Sequence, residues 1–305
     1  MTLGLKGEEI SPLEDLAQAG AIAFTDDGRG VQKDSIMKEI MTRASKLNLP
    51  VLDHAEDDEL SKGGAINKGV TSQKFQISGQ DKQSESDHVK RGCHYSKETG
   101  CHYHVLHLST KESLAHVLEA KKAGAKVTAE VSPHHLLLTD EDIPLRSDGD
   151  LDSNFKMNPP LRTIEDREAL QKAFINGDID IVATDHAPHT SKEKEKHIEE
   201  APFGIVGLET CFPLLYTNFV KNNLMPLYKL IDSMTINPAR LFRLNTGTLK
   251  VDAPADITLI NLEESYTIES KEFASKGKNT PFEGSKVFGR PTFTMVDGRE
   301  VYSNL

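Results

Sequence analysis

The feature that most restricts what this chain can fold into is a repeated pairing of a short apolar run with an amphipathic helical stretch. Most of the apolar runs end in aspartate or histidine. Ala21–Thr25 leads into Asp26 and Asp27, Pro50–Leu52 into Asp53 and His54, and Asp180–Thr184 into Asp185 and His186. The alternating run His102–Leu108 carries His107 near its end, and Lys126–Val131 precedes Pro133, His134 and His135. Helices are expected around 34–47 and 111–123, the latter with Leu114, Val117 and Leu118 on one stripe and a stop at Gly124. Thr163 and Asp166 open another, carrying Leu170, Ala173 and Phe174, and Gly177 closes it. Ser11-Pro12-Leu13-Glu14 has the spacing of a capping box for an earlier helix that ends near Gly20. Short strands alternating with helices predict an α/β protein with a parallel sheet.

Five strand–helix units are too few for a closed eight-stranded barrel, which takes about 250 residues by itself. Either a smaller open sheet or a barrel without its first units fits the count. After about residue 246 the pattern changes. Ala255–Leu262 and 285–302 read as short strands, with Asp297-Gly298 as a hairpin turn. The polar stretch 78–100 is harder to place, because Gly92 and Cys93 interrupt what should be an amphipathic helix.

In a parallel barrel the C-terminal strand ends converge on one face, where catalytic groups sit. Imidazole and carboxylate together are ligands for Zn²⁺ or a similar divalent ion. Such an ion lowers the pKa of a bound water to about 7. A single histidine at a strand end is more commonly a polar cap; the recurrence of His or Asp at four strand ends is what points to a metal. His102 and His104 enter their strand earlier and suit packing or hydrogen bonding, and His134 and His135 suit structural roles. Cys101 and Cys211 read as small core residues, and Lys192–Glu200 as a solvated loop.

The net charge of −11 argues against a nucleic-acid partner. No apolar run approaches a membrane span, and the N-terminus lacks the pattern of a secretory signal. Three cysteines without a regular framework suit the cytoplasm.

Ala183-Thr184-Asp185-His186-Ala187-Pro188-His189 and the downstream 201–210 segment, Ala-Pro-Phe-Gly-Ile-Val-Gly-Leu-Glu-Thr, resemble the signatures of dihydroorotases of the amidohydrolase superfamily. So do Phe24–Gly28, Asp53–Asp57, Gly100–Thr110, Val131–His135 and Lys156–Arg162. The resemblance runs nearly the whole chain in order, nearest to the class I enzymes of Gram-positive bacteria. It implies a (β/α)8 TIM-type barrel, here partial and lacking its first units. Residues 1–246 would form the incomplete barrel, and 247–305 the C-terminal strands of a small composite β-sandwich domain.

The resemblance also assigns roles. Asp27 would bridge two zinc ions, His54 and His107 would hold the second, and Asp185 would hold the first and act as general acid/base. Asn158, His189, Phe203 and Gly204 would contact substrate. The reaction implied is the reversible interconversion of (S)-dihydroorotate and N-carbamoyl-L-aspartate in pyrimidine synthesis. The family's first strand supplies a His-x-His-x-x-Arg segment that this sequence does not contain. The expectation is therefore a chain shortened at its N-terminus, with Asp185 alone left for the first zinc and weak or no activity by itself. Two further readings compete: a hydantoinase- or dihydropyrimidinase-like cyclic amidase, and a non-catalytic homologue that scaffolds aspartate transcarbamoylase. A homodimer is also open.

Overall fold

The computed structural model describes residues 1–304. Its main sheet has five short parallel strands: β1 (Phe24–Thr25), β2 (Val51–Asp53), β3 (Tyr103–Val105), β4 (Val127–Val131) and β5 (Ile181–Val182). They pair in sequence order, with Phe24 opposite Val51, Val51 opposite Tyr103, Tyr103 opposite Val127, and Val131 opposite Val182. A helix follows α1 (Leu13–Gln18) in each crossover: α2 (Asp34–Leu47), α3 (Gln83–Thr99), α4 (Lys111–Lys122) and α5 (Ile164–Asn176). Sequential parallel pairing with intervening helices is the wall of a (β/α) barrel, in agreement with the partial barrel expected from the sequence.

The period-2 alternation of the strands sorts their side chains. Tyr103, Val105, Val127, Ala129 and Val131 are buried against Met37, Ile40, Met41, Val89, Leu114, Val117, Leu170 and Phe174 of the helices. Each such fully buried side chain contributes about 1.5–3 kcal/mol of transfer free energy. His104, Thr128 and Glu130 take the opposite face of the same strands.

Helix ends follow local chemistry. The Thr163 hydroxyl accepts from the Asp166 amide, the Asp166 carboxylate accepts in return, and Gly177 closes α5 at φ 88°. The expected capping box at Ser11–Glu14 does not form. Pro12 occupies the N-cap position without a side-chain bond, and Ser11 is buried with its N–H on the Met1 carbonyl. The expected interruption at Gly92 is also corrected, since α3 runs through it. A Cβ on Gly92 would lie 2.0 Å from Tyr103 Cζ, so glycine there admits the Tyr103 ring. The phenol then reaches Asp53 Oδ2 at 2.8 Å.

A second cluster, drawn from chain on both sides of α5, packs Leu151, Met157, Leu161, Ile198 and Ile205 with Ile268, Phe282 and Val287. Beyond it lies an antiparallel sheet of β6 (Ile257–Thr267), β7 (Lys286–Val296) and β8 (Arg299–Ser303), in the order β8-β7-β6. Asp297 and Gly298, at φ 49° and 74°, make its hairpin turn as expected. Cys93, Cys101 and Cys211 are free and buried, and burial pushes each thiol up to about 12. Among the described residues no helix is long and apolar enough to cross a membrane.

Candidate metal and substrate site

The C-terminal ends of β1, β2 and β5, with the residues just after β3, deliver Asp27, His54, Asp185 and His107 to one cavity of about 240 Å³. Gly28, Asn158, Ala187, Phe203 and Gly204 complete its lining. Within it one ligand atom each from Asp27, His54 and His107 lies within 4.8 Å of the others. His54 Nδ1 is 2.9 Å from His107 Nε2, and Asp27 Oδ1 is 3.8 and 3.9 Å from those two nitrogens. Two imidazole nitrogens and a carboxylate oxygen at these separations fit around one divalent ion with bonds of about 2.0–2.2 Å.

The tautomer of His54 suits this arrangement. Its Nε2 stands 2.9 Å from Glu56 Oε2. Burial would raise the Glu56 carboxyl, but hydrogen bonds from His54 and Asn158 outweigh it and hold the group at about 2. An ionised carboxylate accepts, so Nε2 carries the proton and Nδ1 faces the triad with its lone pair. Burial opposes protonation of His107, yet the carboxylates of Asp27, Asp185 and Glu130 around it raise it to about 9. The proximity of His107, and then of His54, holds Asp27 below its usual range. Asp185 lies outside the triad, and burial raises its carboxyl despite the attraction of His107. His107 and Asp185 both adopt positive φ, 30° and 50°. Backbone strain of this kind in side-chain-bearing residues concentrates at functional sites.

The remaining expected site residues serve two purposes. Asn158 lines the cavity, but its Nδ2 donates to Glu56 Oε2 at 2.8 Å and its Oδ1 accepts from Gln80 at 3.1 Å. Phe203 and Gly204 form the facing wall. His189 does not line the cavity; its Nε2–H donates to the Phe203 carbonyl at 2.8 Å. His102 and His104 hydrogen-bond as expected, both to Thr128 Oγ1, at 2.9 and 2.8 Å. His104 also reaches Glu130 Oε2 at 3.1 Å, while Glu130 Oε1 accepts from the His107 amide at 3.4 Å. His135 is held on the Pro159 carbonyl at 3.0 Å.

Sequence reasoning missed Glu56, Gln80 and Glu130, which touch the triad or its supports, and within the largely exposed Lys192–Glu200 run it missed two buried residues. Ser191–Lys194 is a helical turn capped by Thr190, and both Lys194 and Ile198 are buried. Glu56 follows His54 by two residues, a signal that was available. The roles of Gln80 and Lys194 arise only from long-range folding.

Comparison with known proteins places the chain among relatives. A family profile described as dihydro-orotase-like matches residues 1–113. The dihydroorotase of Geobacillus thermodenitrificans is 54% identical over 302 residues, 99% of this chain and 69% of that protein. That of Bacillus caldolyticus is 52% identical over 302 residues, again 99% of this chain and 70% of its own length. Among solved structures, the L-hydantoinase (dihydropyrimidinase) of Arthrobacter aurescens superposes with a TM-score of 0.82 at 26% identity, covering 96% of this chain and 67% of that one. The D-hydantoinase of Thermus sp. gives 0.83 at 24% identity, over 96% and 66% respectively, a likeness of fold. With relatives more than half identical across nearly its whole length, the chain belongs to the dihydroorotase family.

Proposed function

We propose that this protein hydrolyses the cyclic amide of (S)-dihydroorotate to N-carbamoyl-L-aspartate, reversibly, in the synthesis of pyrimidines. The observation that carries the reading is the convergence of Asp27, His54 and His107 in one cavity with Asp185 beside them, in a chain more than half identical to dihydroorotases. Asp27, His54 and His107 would hold a divalent ion, and two imidazoles with one carboxylate favour zinc. When bound, such an ion makes water a competent nucleophile near neutral pH and polarises a carbonyl. A second ion would be held with the help of Asp185.

The chain's own groups account for the proton traffic. The water oxygen bonds to the ring carbonyl carbon as the ring C–N bond breaks. The proton lost by the water passes to Asp185 and from it to the departing nitrogen. A buried carboxyl with a raised pKa is suited to taking and returning a proton. Glu56 keeps His54 in the Nδ1-facing tautomer. Asn158, Phe203 and Gly204 form the wall against which the substrate lies, and His189 holds Phe203 from behind. Residues 1–246 supply the barrel portion and 247–305 the C-terminal strands of the composite domain.

The test is dihydroorotate turnover by the zinc-supplemented protein with an Asp185→Asn control. Turnover that depends on Asp185 supports the reading, and the same assay measures whether this chain alone is weakly active. Turnover that survives in Asp185→Asn, or faster hydrolysis of unsubstituted hydantoin, would contradict it. The further expectations are a cytoplasmic location and either a homodimer or a contact with aspartate transcarbamoylase. Fractionation reads the first, and sedimentation with and without that enzyme reads the second.

A further inference from the structure

Lys194 is a buried lysine, 5% exposed, with no ion-pairing carboxylate among the described residues. Its ammonium has three N–H donors and spends them on three backbone carbonyls: Pro202 at 2.9 Å, Gly204 at 3.1 Å and Lys156 at 3.4 Å. Pro202 and Gly204 flank Phe203, and Lys156 stands two residues before Asn158. The Gly204 amide closes the connection by donating to the Lys156 carbonyl at 2.9 Å. One cation thus ties together the two segments that carry Asn158 and Phe203-Gly204 into the cavity. A buried charge is costly unless its hydrogen bonds are satisfied, so the carbonyls must stay converged for Lys194 to remain where it is.

Asn279 does the same from the C-terminal segment. Its Nδ2 donates to the Gly204 and Ala187 carbonyls, both at 3.0 Å, and its Oδ1 accepts from the His189 amide at 2.9 Å. Its own carbonyl accepts from the Val206 amide at 2.9 Å. Asn279 therefore joins the loop that follows Asp185 to the Phe203-Gly204 wall. The Lys156 ammonium adds a contact 4.4 Å from the Phe203 ring centroid.

We propose that Lys194 and Asn279 are positioning residues that set the shape of the substrate-facing wall, without acting on the metal triad. The inference rests on the reading of Asn158, Phe203 and Gly204 as that wall. It makes substrate affinity depend on a residue more than 90 positions from Asp185 in sequence, in the C-terminal segment.

The experiment compares Lys194→Met and Asn279→Asp with the unaltered, zinc-loaded protein. Asn279→Asp keeps the acceptor for His189 and removes both donated bonds. Amide hydrogen exchange at Gly204 and Val206 should quicken about tenfold or more in both variants, and dihydroorotate binding by calorimetry should weaken about tenfold. Zinc affinity should stay as it was. Unchanged exchange at those amides, or a uniform rise across the strands of the main sheet, would overturn the inference. A Phe203→Ala variant separates the two levels. If it weakens dihydroorotate binding while Lys194→Met and Asn279→Asp do not, the positioning inference fails and the wall stands. If none of the three changes binding, the wall itself was misread and the inference falls with it.

Discussion

The two sides of the cavity are built differently. The triad side is made of strand ends: Asp27, His54 and His107 each follow a short parallel strand by one to two residues, and neighbouring strands bring them together. The facing wall is made of loops, and its shape depends on Lys194, Asn279 and His189 gripping backbone carbonyls from elsewhere. The proposed metal ligands sit at strand ends, whereas the proposed substrate wall is assembled from segments far apart in sequence. The difference predicts that each side can be damaged without the other.

The largest effect should come from the triad. His107→Ala removes one of the three proposed ligand atoms, and zinc affinity measured with a competing chelator should fall about 100-fold or more. Next is the wall. Gly204 sits at φ 113°, and a Cβ there would lie 2.4 Å from the Ala187 Cβ. Gly204→Ala should cost about 2–3 kcal/mol by chemical denaturation and weaken dihydroorotate binding, with zinc affinity retained. A smaller effect tests the support behind the triad. Glu130→Gln loosens the hold on His104 and on the His107 amide, and should reduce zinc affinity about tenfold while leaving the Gly204 amide protected.

Acid should act through three histidines beside the sheet, the half-buried His102 and the buried His134 and His135. Burial pushes His134 down to about 3 and His102 down to about 4, and His135 lies well below its usual range. The folded state thus binds fewer protons than the unfolded chain below pH 6.5. Their stabilising contribution is present above that pH and is lost as pH falls toward 3–4, by about 1.4 kcal/mol per pH unit for each histidine in that window. Urea midpoints at pH 7, 6 and 5 read the slope, and a flat profile would contradict the buried, neutral state of these rings.

What was legible in the sequence follows the same division. Strand ends are readable because apolar alternation locates the strand and the next residue is then the candidate, which is how Asp27, His54, His107 and Asp185 emerged. The Thr163–Asp166 cap and the Asp297-Gly298 turn were readable because their partners are local. Lys194 was not, because in sequence it belongs to a run of lysines and glutamates that looks solvated; only the folded loop brings three carbonyls to its ammonium. Asn279 carries no local signal at all. Gly92 misled because glycine weakens a helix by itself, while its purpose is the Tyr103 ring against it.

The central claim, that the triad holds the catalytic metal independently of the substrate wall, is tested most directly by zinc titration. The unaltered protein, His107→Ala and Lys194→Met would be measured side by side. The account predicts tight binding by the unaltered protein and by Lys194→Met, with binding lost in His107→Ala. Equal zinc affinity in the unaltered protein and His107→Ala would contradict it.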